Sequence, residues 1–347
     1  MPDYPTLLLF ERGDAWPWVG LVLVVAGLIV LAEAAKRWRV VAGVLFLVIP
    51  VILTITWWPH STAGTASAGW FPIVKVYSAL AGSLALVGGQ MFPKWRRSLI
   101  WQALLPLILA INIAEAVVRD FQCYSIHGVD PTQGMWTMGG PWNIMNGVAG
   151  ILNLVAICGW MGIIVSRKKG EGIIWPDMTW LWIIAYDLWN FAYLYNCLAD
   201  RAWYSGLALL LACTIPAALL GRGSWIQYRA YTLALWSMFV VTFPHFTQDS
   251  VFALRSSHNT TLMFVVSAVA LLVNLWLVWV HVRTIVTKRR NPFVQEIYPE
   301  SAYFASLVRE NATPDDAARI AARAGSSVEE LGFVPADDGA ARALQPS

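Results

Sequence analysis

The sequence predicts an all-α protein, a polytopic bundle of about nine transmembrane helices, and three observations predict it. Charge is scarce: 13% of the 347 residues are charged and 58% are hydrophobic, whereas soluble domains carry roughly 25% charged residues. Nine apolar stretches are long enough to cross a hydrocarbon core of roughly 30 Å as helices of about 20 residues. Basic residues collect on alternate connections, as they do when one face of a bundle meets the cytoplasm.

In chain order the stretches are 16–35, 39–58, 70–92, 98–118, 143–165, 177–198, 202–221, 226–247 and 261–286. The connections after the first, third, fifth and seventh hold Lys36, Arg37 and Arg39; Lys94, Arg96 and Arg97; Arg167, Lys168 and Lys169; and Arg222. The ninth stretch ends in Arg283, Lys288, Arg289 and Arg290. The other side holds Arg12, Arg119, Arg201 and Arg255, so fourteen basic residues face four. That bias places the N-terminus outside and the C-terminus in the cytoplasm. The opening MPDYPTLLLFERGD has no basic n-region and no small-residue cleavage site, which predicts no removable signal peptide. Most of the 20 Trp are expected at the headgroup level or in packing.

Residues 1–290 are therefore expected to form the bundle, and 291–347 an acidic, Ala-rich cytoplasmic tail. Within the tail, Thr313-Pro314-Asp315-Asp316 predicts a helix over about 314–325: a hydroxyl N-cap, Pro at N1, then acids against the dipole. Disorder is expected around it.

Two pairs of strings suggest an internal repeat. Tyr77-Ser78-Ala79-Leu80-Ala81 echoes Tyr204-Ser205-Gly206-Leu207-Ala208, and Asn153-Leu154 echoes Asn274-Leu275, at offsets of 127 and 121 residues. Ile164-Val165-Ser166-Arg167-Lys168-Lys169 likewise resembles Ile285-Val286-Thr287-Lys288-Arg289-Arg290. The pattern fits one leading helix and two parallel four-helix halves, a 1+4+4 plan. Chance fits too, because short apolar strings with a basic stop look alike.

No phosphate loop, zinc H-E-x-x-H pair or G-x-S-x-G elbow occurs, and His60, His127, His245, His258 and His281 never stand at i, i+3 or i+4. ATP and zinc hydrolysis are disfavoured, and no late span carries a Lys for a retinal Schiff base. The four Cys have no metal-ligand spacing. No metal, cofactor or catalytic residue is expected. The expected partners are the lipid bilayer and a small-molecule ligand, not nucleic acid, and the oligomeric state is not encoded.

The candidate site residues are the polar side chains inside spans, which are costly in lipid and usually face the protein interior. Rise per residue puts Lys75 roughly 8 Å, Glu115 roughly 5 Å and Asn112 roughly 10 Å below the outer surface, with Asn153, Asp187, Asn190 and Asn274 near the midplane. Inner halves hold little polarity: Glu33 is expected to pair with Arg37, and Arg229 to snorkel to the cytoplasmic interface. The asymmetry suggests a cavity open to the outside. Asp187 is the sharpest candidate, with Asn190 one turn on and aromatics on both flanks. A lone carboxylate there must be paired, wet or protonated. As a functional group it is a cation or proton site; as a structural one it pairs with Lys75 or bonds to Asn153 or Asn274. Trp189, Tyr186 and Tyr193 can wall a site for an organic cation, Lys75 and Glu115 can gate the mouth or simply pair, and the Asn residues can be ligands or helix–helix glue.

The connection 119–142 is the longest outer loop and a candidate lid. Cys123 beyond span four and Cys197 at the end of span six both face the oxidising side, which admits a disulfide between them. Cys158 and Cys213 read as small core residues.

The strings RDFQCYSIHG (119–128), GGPWNIMNG (139–147) and WPDMTWLWIIAYDLWNFAYLYN (175–196) resemble a bacterial family of multi-spanning membrane proteins of unknown function. The resemblance covers roughly residues 8–285. It implies a bacterial inner-membrane location and no established activity or site residue. From the residues themselves, the leading functional expectation is a secondary transporter or permease for a small cationic or zwitterionic solute. The alternatives are a receptor that signals through the tail, and an intramembrane enzyme acting on lipid with Asp187 or His245 as acid or base.

The topology is open to direct test. A reporter fused after Arg290 should report from the cytoplasm, and a single Cys replacing Ala63 should label from outside in intact cells. Labelling only after permeabilisation overturns the orientation.

Overall fold

The structure is a computed structural model that describes residues 6–11, 15–65 and 70–333. Nine long helices carry the fold among the described residues: α1 (Trp16–Arg37), α2 (Arg39–Thr56), α3 (Trp70–Met91), α4 (Leu99–Cys123), α5 (Pro141–Val155), α6 (Trp180–Cys197), α7 (Ala199–Leu219), α8 (Trp225–Thr242) and α9 (Thr260–Lys288). Three antiparallel two-stranded hairpins join them: β1–β2 (Thr6–Leu7, Phe10–Glu11), β3–β4 (His127–Val129, Trp136–Met138) and β5–β6 (Ile164–Val165, Ile173–Ile174). Two shorter helices follow, α10 (Ala302–Asn311) and α11 (Pro314–Ala324).

Six of the helices, α1, α2, α3, α4, α7 and α9, are long and apolar enough to cross a membrane. The chain is a membrane protein, and its architecture is an all-α bundle. Side chains such as Val22, Ile55, Ile111, Leu219 and Leu272 stand exposed on these helices, where lipid is their natural solvent. The other three, α5, α6 and α8, are less apolar and carry buried polar side chains such as Asn146, Asn153, Asn190, Asn196, Gln227 and Arg229. Along α6 only Ile184 is exposed. The helices sort into two groups, α4, α5, α6 and α9 against α1, α2, α3, α7 and α8, which meet chiefly where α6 packs on α7 and α3 on α4. That sorting cuts across the halves of a 1+4+4 plan.

Span five was expected to run to residue 165, but α5 stops at Val155. The apolar run beyond it is buried by protein instead of lipid. Ile164 and Ile174 of β5–β6 pack against Phe304, Leu307, Val308, Ile320 and Phe333 of the tail in a second hydrophobic core. Ile164 and Ile285, which looked equivalent, thus differ in structure: one lies in a strand, the other inside α9.

The helix expected from Thr313 is present as α11, with the Thr313 hydroxyl accepting Asp316 N–H at 3.2 Å and Gly325 at φ 72° ending it. The flank Asn291–Thr313, expected to lack order, is structured, because α10 adds Phe304, Leu307 and Val308 to that core. Residues 334–347, the other side of the expected disorder, lie outside the described residues. Asp177 clasps the tail: its carboxylate, fully buried, accepts Ile297 N–H at 2.7 Å and Tyr298 N–H at 2.9 Å. Burial raises the Asp177 carboxyl to about 7, against the pull of those two amides and with help from nearby Glu296. Arg323 pairs with Glu296, and Arg167 N–H donates to Asn311 C=O at 2.8 Å.

The clasp generates a test. Asp177→Asn turns one acceptor into a donor facing an N–H, at a cost of about 1–3 kcal/mol. Trypsin cleavage at Lys288–Arg290 should quicken by roughly tenfold. Unchanged digestion kinetics would show that the tail is held elsewhere.

Candidate functional site

One side chain from the predicted set faces a sizeable cavity. Asp187 lies seven residues into α6 from Trp180, so roughly 10 Å from its basic-face end and a little short of the middle of the helix. It faces an apolar groove of about 680 Å³ between α1, α6 and α7, walled by Trp18, Leu188, Phe191, Trp203, Leu207 and Leu211. Asp187 and Thr214 stand at the deep end. Leu8, Leu9, Phe10, Glu11 and Leu254 stand at the other, on the face opposite the basic one. On one flank Trp18 and Ile215 reach the exposed, lipid-facing surface.

Local chain geometry makes the groove. Gly20 lets α1 come close to α7: a Cβ there would meet the Tyr204 hydroxyl. Trp203 and Leu207 sit on a π-helical stretch of α7, Ala202–Ala208, and such widened turns re-aim side chains at many functional sites. The mouth is roofed by β1–β2. Leu8 turns the hairpin at φ 59°, Glu11 N–H donates to Arg255 C=O at 3.1 Å, Ser257 N–H to Leu9 C=O at 3.0 Å, and the Tyr195 hydroxyl to Leu9 C=O at 2.6 Å. This roof is not legible in the sequence, because 6–11 lie outside any apolar span and only Glu11 among them carries a titratable group.

Asp187 makes one hydrogen bond. Its Oδ2 accepts the Thr214 hydroxyl at 2.7 Å, while Oδ1 is buried with no hydrogen-bond partner. Thr214 Oγ1 in turn accepts Trp225 Nε1–H at 3.0 Å. Neither Lys75, Asn153 nor Asn274 reaches the carboxylate, so the structural partners expected for it are not the ones it has. Behind it, Arg229 does not snorkel: it is 7% exposed. Its Nε donates to the Tyr186 hydroxyl at 3.1 Å and Nη2 to Asn190 Oδ1 at 3.4 Å, while Nη1 is unpartnered. Its guanidinium also stands 5.6 Å from the Tyr186 ring centroid. Among the described residues, Arg229 and Asp187 form no direct ion pair. Thr214 and Arg229 were the functional residues hardest to see, one an ordinary helix hydroxyl and the other near a helix end.

The remaining candidates lie elsewhere. Asn153 Nδ2 donates to Asn274 Oδ1 at 3.1 Å, and Asn274 Nδ2 reaches Ala185 C=O at 3.1 Å, tying α5, α6 and α9 together. Trp189 packs on α5 where Gly150 leaves room: a Cβ there would lie 2.5 Å from its Nε1. Lys75 forms an ion pair with Glu115 between α3 and α4. Asn112 donates back to Ile108 C=O at 2.8 Å and lines, with Tyr186 and Arg229, a second cavity of about 50 Å³. His245 pairs with Asp249 in the open.

Cys123 and Cys197 are free, fully buried thiols. Cys197 approaches Asp120 Oδ1 at 3.5 Å, and Asn146 Nδ2 donates to Asp120 Oδ2 at 2.7 Å. The connection expected as a lid is pinned: Arg119 pairs with Asp130, and Gly139 N–H donates to Ile126 C=O at 2.6 Å. It does not line the groove. Among the described residues no His, Cys, Asp or Glu cluster has metal-holding geometry.

The chain belongs to the Family of unknown function (DUF5692), whose model matches residues 11–310 and so includes α10 of the tail. No curated protein and no solved structure matches it.

The buried guanidinium can be tested without a ligand. Arg229→Met strands the Asn190 carbonyl and the Tyr186 hydroxyl, at about 1–3 kcal/mol for each unsatisfied group. The variant should melt at a lower temperature in detergent, and Arg229→Lys should recover part of the loss. A wild-type melting curve for Arg229→Met overturns this account of the core.

Proposed function

We propose that this membrane protein is a transporter or permease that takes up, from outside, a small solute with a cationic or zwitterionic head and an apolar body. One observation carries the reading: a carboxylate with a free, desolvated oxygen ends an otherwise apolar groove that is roofed on the face opposite the basic one. A cationic head would supply the partner Oδ1 lacks, and aromatic walls favour organic cations and apolar bodies over hydrated ions. Inward, Trp225, Tyr186 and Arg229 close the groove, which suits an outward-facing state of an alternating-access cycle. The cell setting that goes with this reading is a bacterial inner membrane, as the resemblance of the α4–α6 strings implies.

A receptor reading has its own support. Asp177, which clasps the tail, stands two residues before Thr179, the N-cap of the helix that carries Asp187. A ligand that shifts α6 would therefore pull on the tail. For the lipid-enzyme alternative, only Glu11 shares the groove with Asp187 as a second titratable group.

The experiment is a thermal-shift titration with a lipophilic quaternary ammonium. Wild type should gain several degrees at saturation, since a ligand of the native state alone stabilises it. Asp187→Asn, which keeps an acceptor for Thr214, should fold but lose at least about tenfold in affinity. Equal shifts for both proteins overturn the site. If binding holds, uptake into proteoliposomes by protein truncated after Arg290 supports transport, and its absence there with uptake by the full chain also missing turns the case to the receptor.

A further inference from the structure

On the basic face a cleft of about 1040 Å³ gathers cations from three separate parts of the chain. Lys36, Arg37 and Arg39 come from the turn between α1 and α2, Arg96 from the segment after α3, and Arg167, Lys168 and Lys169 from the β5–β6 turn. A positive face alone does not require such convergence. The turn is shaped for it: Gly170 and Gly172 adopt φ 89° and 81°, and a Cβ on Gly172 would lie 3.0 Å from Lys36 Cγ. Side chains with larger backbone demands would hold 168–172 off the end of α1.

The cations in the cleft are under-compensated. Glu33 serves both Lys36 (2.9 Å) and Arg37 (2.9 Å), and Glu310 stands 3.9 Å from Lys168. Arg39, Arg96 and Lys169 make no ion pair among the described residues. Elsewhere on this face the tail answers the cations: Glu300 receives Arg290 at 2.8 Å and Lys288 at 3.8 Å, and the Arg290 hydrogen bond holds its carboxyl below the ordinary range. The cleft also has an apolar edge, because Trp38 and Val40 beside it are 60% and 79% exposed.

We propose that this cleft binds a phosphate-bearing polyanion, supplied as the headgroup of a membrane phospholipid. Forked guanidiniums suit phosphate oxygens, basic pockets at the cytoplasmic ends of helices suit anionic headgroups, and the exposed Trp38–Val40 edge offers acyl chains a track that a free anion would not use. The proposal is independent of the groove and of Asp187.

The full-length protein in non-ionic detergent micelles, doped with equal amounts of phosphatidylcholine and cardiolipin and read by native mass spectrometry, tests it. Wild type should retain cardiolipin over phosphatidylcholine by about tenfold or more, less so at high salt. Arg39→Gln/Arg96→Gln/Lys169→Gln should lose that preference, whereas Lys94→Gln/Arg97→Gln, on the same face but outside the cleft, should keep it. Equal loss in both variants, or none in the first, overturns the site. Inorganic pyrophosphate is the second probe. If it displaces cardiolipin and stabilises wild type but not the triple variant, the phosphate chemistry stands and the lipid source is overturned. Should the triple variant fail to fold, Arg39→Gln and Arg96→Gln singly should each weaken retention, and wild-type retention by both overturns the proposal.

Discussion

Lipid offers no hydrogen bonds, and the arrangement of this protein follows from that constraint. Polar side chains inside the bundle must find partners within it, so the helices that carry them are drawn to the centre. Helix α6 is the clearest case: Asn190, Tyr186 and Asp187 on one stretch are served by Arg229 of α8 and Thr214 of α7, while Asn274 of α9 caps Ala185 C=O. Six apolar helices then surround or flank this core. Removing the polar links would leave helices with similar apolar surfaces and little reason to prefer one neighbour over another.

The same constraint explains which parts of the fold were legible in the sequence. Hydrophobic length finds α1, α2, α3, α4, α7 and α9 without ambiguity, because their surroundings are lipid and their composition shows it. It fails at 156–165, which is just as apolar but is covered by protein, Ala156, Ile157 and Ile163 by the main core and Ile164 by the tail core around Phe304 and Phe333. Hydropathy reports that a residue leaves water, not what receives it. The α11 start was legible because capping is local: Thr313, Pro314 and the acids carry the information within one turn. The α10 helix was not, since its reason to form lies in Ile164 and Ile174, about 140 residues away.

The candidate site divides along similar lines. Asp187 stands out in the sequence because a carboxylate in an apolar helix is costly wherever it points. Its surroundings do not: Thr214 is chemically ordinary, and Arg229, four residues from the start of α8, looks free to reach water until Tyr186 and Asn190 are seen around it. The pairs Lys75–Glu115 and Asn153–Asn274 show the converse. Each residue looked individually suited to a ligand, and each has a partner on a neighbouring helix, although Glu115 Oε1 and Asn153 Oδ1 keep no hydrogen-bond partner.

The roof over the groove has a consequence for how the molecule comes into being. Strands β1 and β2 precede all nine long helices in the chain, but three of their fastening points, Arg255, Ser256 and Ser257, arrive only after eight of those helices have been made. Until then the opening segment has only the Tyr195 hydroxyl on Leu9 C=O and the Tyr195 and Trp203 rings against Phe10 to hold it, and the roof lacks its backbone pairing. The roof is therefore completed only when the α8–α9 connection arrives. A nascent chain arrested before the α8–α9 connection emerges would hold the carboxylate in place, yet with its doorway unfinished.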